Sequence, residues 1–440
     1  MAQILEKFRA KLLKNLSKLL TNRKFAKDYC FDNKHFSRQP ELTFQKVTLL
    51  ILQLLKSSVS TELKSFYSTL FRVEEVVNWV TDSAFCKARQ KIRHQLFVEL
   101  YKLIPRFFYS NIGGKKWSGF RLLAVDGSEL NLPSSKELLN KFGCHHTNSI
   151  GTKIPQARTS FLCDVLNQMT LDAQMESFKT SEQEMFVSHL ECIGKGDLLT
   201  ADANYGHFRI LKATQTIGAE FCIRMSQSSG FIKDFLASGE KDAILDWHPS
   251  KKTIKNCKDH SVDHNPMKIR LVRIDLSEKE TEVLGVSLLD LKKYGYGCIK
   301  DLYDKRWGVE EEIKKYMQRL MVEFFSSIKK NGVSQDFYAN VFMLNLVSFL
   351  AEPVKDEVYE SSGDCKYRQQ INWTSALGDV RKKIVLLFMR GIKKVQSIME
   401  SLWESFKKNT DAIKPDRKFP RDKRKKGSRK KAFINYKPAW

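Results

Sequence analysis

Phe120-Arg-Leu-Leu-Ala-Val-Asp126-Gly127-Ser128 and Asp197-Leu-Leu-Thr-Ala-Asp202-Ala-Asn-Tyr-Gly206 are two short apolar runs, each stopping at an aspartate followed by turn residues. Short apolar runs bounded by turn signals read as buried strands. Between them, Ala157 to Leu166 and Met169 to Met175 are β-like runs joined by Asn167-Gln168, a hairpin turn by composition. Glu182 to Cys192 reads as a helix, and another begins near His207. The order strand, strand, strand, helix, strand, helix predicts an α/β layered domain.

A meander of three strands, with a carboxylate at the ends of strands one and four, is the layout of a ribonuclease-H-like sheet. Further strands follow at Glu220 to Met225, Met267 to Ile274 and Thr281 to Leu288, separated by lysine-rich segments. They predict a β-rich insertion over about 219–290. Before residue 113 the apolar spacing is helical, through Val47, Leu50, Ile51, Leu54 and Leu55 and again through Phe97, Leu100, Leu103 and Ile104. Helices return through Lys314, over Gln335 to Ala351 and over Gly378 to Glu404. The expected domains are a helical N-terminal DNA-binding domain (1–113), the α/β core with its insertion (114–350), a C-terminal helical region (351–413) and a basic tail (414–440).

The formal net charge is +25, with 42% hydrophobic and 11% aromatic residues, which describes a folded protein that meets a polyanion, most commonly nucleic acid. The tail alone carries twelve Lys/Arg against two Asp. No stretch reaches the ~20 apolar residues of a membrane span, and the opening residues form an amphipathic pattern instead of a secretory signal. Nine cysteines are scattered without a C-x-x-C pair, so neither a disulfide framework nor a zinc ribbon is indicated. Cys144-His145-His146 lacks a partner pair at ligand spacing. The chain reads as reduced and cytoplasmic.

Singly, the acids are ordinary. Asp126-Gly127 and Asp202 with Gly206 suit turns, and Glu310 suits a surface pair with Lys314. Together they are more informative. Ligand sites in open α/β sheets lie at the carboxyl ends of strands. Tyr303, Arg306 and Glu310, three and four apart, would share one face of a helix. Three carboxylates supply hard oxygen ligands suited to Mg²⁺ or Mn²⁺. Earlier in the chain, Asp82-Ser-Ala-Phe-Cys-Lys87-Ala-Arg89-Gln-Lys91-Ile-Arg93 reads as a helix capped by Asp82 or Ser83, with Arg93 the last of its closely spaced bases. Lys87, Arg89 and Lys91 on it fit a DNA-groove reader and a solvated face equally well.

These residues also carry a resemblance. The segments around Asp126 and Asp202, Pro155-Gln-Ala-Arg-Thr-Ser160, Tyr303-Asp-Lys-Arg306-Trp-Gly-Val-Glu310, Gln335-Asp-Phe-Tyr-Ala339 and Asn435-Tyr-Lys-Pro438 resemble the DDE transposases of bacterial insertion sequences, in the group with a Tyr-x2-Arg-x3-Glu-x6-Lys signature. The resemblance implies that Asp126, Asp202 and Glu310 hold two metal ions for cutting and joining DNA. It places Tyr303 and Arg306 near flanking phosphates, and gives Trp307 either a stacking role on an extruded base or a buried core role. It implies double-stranded DNA as partner (terminal inverted repeats and target), a homodimer on paired ends, no membrane, and work at the bacterial nucleoid. At the signature lysine position stands Met317, and Lys314 is the nearest substitute. Rival readings are another ribonuclease-H-like nuclease and a repurposed DNA-binding protein keeping the fold.

Overall fold

The computed structural model describes residues 2–37, 41–74, 80–144, 153–277 and 280–414. The basic tail from 415 onward, with Asn435–Pro438, and His145-His146 lie outside these residues. In chain order the helices are α1 (Ala2–Thr21), α2 (Arg23–Asp28), α3 (Phe44–Leu52), α4 (Val59–Phe71), α5 (Asp82–Arg89) and α6 (Gln95–Asn111). Strand β1 (Arg121–Asn131), helix α7 (Lys136–Phe142), and strands β2 (Gln156–Asp164) and β3 (Met169–Ser177) follow. Next come α8 (Glu182–His189), β4 (Asp197–Ala201), α9 (Phe208–Thr216), β5 (Glu220–Arg224), α10 (Gly230–Ala237), β6 (Asp242–Trp247), α11 (Lys251–Asp259), β7 (Met267–Ser277) and β8 (Glu280–Val286). Helices α12 (Tyr296–Asp304), α13 (Trp307–Lys314), α14 (Lys330–Glu360), α15 (Trp373–Met389) and α16 (Ile392–Lys408), with the short strands β9 (Gln369–Ile371) and β10 (Thr410–Ala412), complete the chain.

Contacts divide it into two bodies, one of residues 114–129 and 158–313, the other of 1–113, 130–157 and 314–440. The first is built on a mixed sheet of order β3-β2-β1-β4-β5-β8-β7-β6. Strands β1, β4 and β5 run parallel, with Leu123 opposite Leu199 and Leu199 opposite Phe221. Leu122 to Val125 are all buried, as are Leu198 to Ala201, because a parallel sheet is covered on both faces. This is the mixed α/β, ribonuclease-H-like layout that the strand order predicts. The turn between β2 and β3 is closed by Asp164, whose Oδ1 accepts from the Leu166 and Asn167 amides at 3.0 Å.

The insertion differs from expectation. Strand β5, inside the range assigned to it, is the fifth strand of the core. Strands β8, β7 and β6 continue the same sheet in antiparallel fashion. They form no sheet of their own, since an open β5 edge would leave a row of unpaired backbone groups. Leu284 and Val286 share one buried cluster with Leu122, Leu198, Ile299 and Leu302.

The second body corrects the domain boundaries. Helix α14 is buried along most of its length and packs on α3, α6, α15 and α16. A helix apolar on all sides needs cover all round, and the stripes of α3 and α6 supply part of it. Arg9 of α1 donates from Nε to the Phe349 carbonyl at 3.1 Å and pairs with Glu352. The N-terminal 113 residues are thus not a separate domain, and α14 belongs with them and not with the α/β core. It is the one described helix long and apolar enough to cross a membrane, and 83% of that window is buried. The single helix expected over Gly378 to Glu404 is two, because Arg390 turns extended and Gly391 caps α16.

Candidate active site

Strand β1 runs on to Asn131, so Asp126 lies within a strand and not at its end. The paired rungs between β1 and β4 stop at Ala124 opposite Thr200. Two residues past that last rung stand Asp126 on β1 and Asp202, the first residue after β4. Asp126 Oδ1 accepts from the Gly127 amide at 2.8 Å, and Asp202 Oδ1 from the Asn204 amide at 2.9 Å. Burial pushes the Asp126 carboxyl up to about 6, and the negative charges of Asp202 and Glu310 push the same way. The Gly127 amide and Arg306 only partly offset this. The three acids therefore share one electrostatic neighbourhood.

Tyr303 and Glu310 are not on one continuous helix, as their spacing suggested. Helix α12 ends at Asp304 and α13 starts at Trp307, with Arg306 in the joint. Arg306 closes the gap by contact. Its Nη2 donates to Glu310 Oε1 at 2.9 Å, and its guanidinium carbon lies 5.5 Å from the Tyr303 ring centre and 5.0 Å from that of Trp307. Although burial opposes its charge, Tyr303, Glu310 and Asp126 hold Arg306 above its ordinary value. Tyr303 is buried and its hydroxyl has no hydrogen-bond partner. Trp307 is 47% exposed, which removes the buried reading and leaves its indole open for stacking.

Lys314 is exposed in the last turn of α13. Beyond it, Lys315–Arg319 wind as a π-helix. The 100° step that put position 317 near the azimuth of Glu310 does not hold through that turn. Lys315 is buried, its Nζ 3.5 Å from the Trp373 ring centre.

The helix at 82–89 forms, but Thr81 caps it, accepting from the Ala84 amide at 3.2 Å. Lys87 and Lys91 are exposed. Arg89 is not a DNA reader: it is 2% exposed. Its guanidinium donates to Gln335 (3.0 Å), Ser326 (2.7 Å), the Gly332 carbonyl (3.1 Å) and Asp336 (2.9 Å).

Two residues at the acid cluster were not singled out from the sequence. Glu182, at the start of α8, accepts from Asn204 Nδ2 at 3.2 Å. Tyr205 is fully buried. Glu182 and Glu184 look alike as first-turn acids, and only the structure shows that Glu184 is consumed by its capping box with Ser181. Elsewhere Ser160, His189 and Asp172 are hydrogen-bonded in series at 2.8 Å, but all three are buried and cannot meet substrate.

The donor set consists of hard oxygens, which fits a divalent cation. The repulsion felt by Asp126 is what a cation would relieve. Among the described residues, no three His, Cys, Asp or Glu side chains stand close enough to hold an ion as placed. Glu310 is meanwhile engaged by Arg306.

Comparison with known proteins identifies the family. The pattern of a family described as the transposase DDE domain matches residues 117–346. Transposase InsG for insertion sequence element IS4, from Escherichia coli strain K12, is 22% identical over 352 residues, 78% of this chain and 76% of that protein. Among solved structures, a piggyBac transposase synaptic complex with hairpin DNA matches at 11% identity with a TM-score of 0.44, covering 90% of this chain and 81% of that one. With the family's domain spanning more than half of its length, this chain belongs to the DDE transposases, of the IS4 type, enzymes of DNA transposition.

Proposed function

We propose that Asp126, Asp202 and Glu310 are the metal-holding carboxylates with which this transposase cuts the ends of its insertion sequence and joins them to target DNA. The family acts on DNA and uses divalent metal; that the ions are two, and Mg²⁺ or Mn²⁺, is part of this reading. The observation that carries it is the Asp126 carboxyl, raised by burial and by the charges of Asp202 and Glu310. Asp126 would serve both ions, with Asp202 and Glu310 each completing one. Two bound ions would activate the attacking oxygen and stabilise the leaving one at a phosphodiester.

The remaining residues hold DNA. Arg306 would steady a phosphate beside the carboxylates, supported by its contacts with Glu310 and the Tyr303 ring. Trp307 is open to stack on an extruded base, and Lys314 extends the positive surface. Lys87 and Lys91 contribute from the helical body, which we assign to recognition of the terminal inverted repeats. Two paired cuts call for a homodimer on DNA, working at the nucleoid. The test is cleavage of DNA carrying the terminal repeats. Asp126→Asn, Asp202→Asn and Glu310→Gln should each abolish Mg²⁺-dependent cutting while DNA binding survives, and near-normal cutting by any one would remove that residue from the site.

A further inference from the structure

A fourth carboxylate stands at the same place. The Oε2 of Glu182 accepts from Asn204, two residues after Asp202. Its Oε1 lies over Gly127, next to Asp126, so close that a Cβ built on Gly127 would come within 3.0 Å of it. The Gly127 backbone is not left-handed, so this glycine is needed for space and not for its φ. Glu182 thus stands between the β1 backbone beside Asp126 and the turn that follows Asp202.

Tyr205 supplies an independent sign. It is fully buried, yet its hydroxyl makes no formed hydrogen bond. Ser160 is a neutral polar neighbour of it, and the Ser160 Oγ is hydrogen-bonded to His189 Nε2 at 2.8 Å. Besides burial, the charges that bear on this hydroxyl are those of Glu182, Asp126 and Asp202, in that order. An orphan buried hydroxyl among three carboxylates costs free energy unless something polar occupies the space between them. An ion with its bound water satisfies all four groups.

We infer that Glu182 is a fourth carboxylate of the metal site, which would add its charge to those of Asp126 and Asp202, with the buried Tyr205 hydroxyl as a polar neighbour of the same site. This rests on the proposed role of Asp126. The donor count suits a cation that takes six or more oxygens.

The experiment is a Mn²⁺ titration of the full-length, DNA-free protein, with free Mn²⁺ read by electron paramagnetic resonance. Glu182→Gln keeps an acceptor for Asn204 but loses the charge, and should weaken binding about tenfold or more. Tyr205→Phe should cost several-fold. Glu191→Gln, further along in an exposed position, should change nothing. Asn204→Ala, which breaks the hydrogen bond and spares the charge, should cost less than Glu182→Gln. Affinity within twofold of wild type in Glu182→Gln overturns the inference, as does an equal loss in Asn204→Ala. Should Glu182→Gln not fold, Glu182→Asp decides, since a ligand on a shorter arm must also lose affinity. Asp126→Asn separates the two levels: if it binds Mn²⁺ normally the site itself is misassigned, whereas its loss beside an unaffected Glu182→Gln removes only the fourth carboxylate.

Discussion

Arg306 Nη2 donates to Glu310 Oε1 at 2.9 Å, which joins the side chain assigned to a DNA phosphate to one assigned to a metal ion. Both are largely withdrawn from solvent, Arg306 more than Glu310. The pair therefore neutralises one carboxylate of a crowded acidic site. A phosphate arriving for Arg306 and a cation arriving for Glu310 would dissolve the pair together. Under the proposed roles, loading of DNA and of metal would be one exchange of partners.

Removing the guanidinium should expose that coupling. Without DNA, Arg306→Ala should bind Mn²⁺ several-fold more tightly than wild type, because Glu310 loses its competitor and the site a positive charge. Cleavage should fall despite the tighter metal. A titration showing weaker Mn²⁺ binding would mean that the pair holds Glu310 in place for the ion.

The Asp126 carboxyl gives a stability signature. It is raised from 3.8 to about 6, so the folded state binds this proton more tightly than the unfolded state. The penalty of its charge is absent below about pH 4, grows between 4 and 6, and is full above 6. In chelator, Asp126→Asn should be more stable than wild type above pH 6, by an amount of order 3 kcal/mol at most. The difference should vanish near pH 4. Urea unfolding at the two pH values checks this, and Mg²⁺ should stabilise wild type more than the variant.

Arg89 should matter to folding and not to sequence reading. Breaking a buried ion pair from one side typically costs about 3–5 kcal/mol. Arg89→Met should lower the denaturant midpoint strongly, leaving Asp336 buried with its charge. The preference for terminal repeats, measured at a temperature where the variant is folded, should not change.

Surface bases should behave differently. Deleting residues 414–440 should weaken binding to all DNA about equally and flatten its salt dependence, since phosphate contacts release counterions without reading bases. Replacing Lys87 and Lys91 together should instead reduce the preference for element ends. Competition binding at two salt concentrations separates the effects, and a loss of preference on truncation alone would reverse the assignments.

At the signature position, Met317→Lys should speed the step after the first cut if a lysine there reaches the reacting strand, and Lys314→Ala should then cost less than in the natural background. A time course of nicked and joined products for the four combinations checks this. Because a π-turn lies at Lys315–Arg319, equal rates in all four would show that the turn carries position 317 away from DNA.

What could be read from the sequence follows the range of the interactions. Strand β4 was readable to the residue, and α8 nearly so, because burial on both strand faces and a first-turn cap are local signals. The family signature likewise marked Asp126, Asp202 and Glu310 as one candidate set. The break at Lys305-Arg306 was not readable, since neither residue disfavours a helix. Strand β6 was hidden because Asp242 opens it and Asp246 interrupts its apolar residues. The fate of Arg89 depends on Gln335 and Asp336, 246 and 247 residues away, and no local pattern carries that. Glu182 was missed for a similar reason: its partner Asn204 lies on the far side of a strand.

The interleaving of the helical body also sets an order of synthesis. Every residue of the sheet-bearing body has left the ribosome's catalytic centre before α14 begins to be made. Helices α1, α3 and α6 are by then complete, but their apolar stripes wait for the α14 surface on which they close. At ~5–20 residues per second that wait lasts on the order of ten seconds or more. A chain ending anywhere between about 313 and 330 and released from the ribosome should therefore carry a protease-resistant sheet together with an uncovered, chaperone-binding N-terminal third.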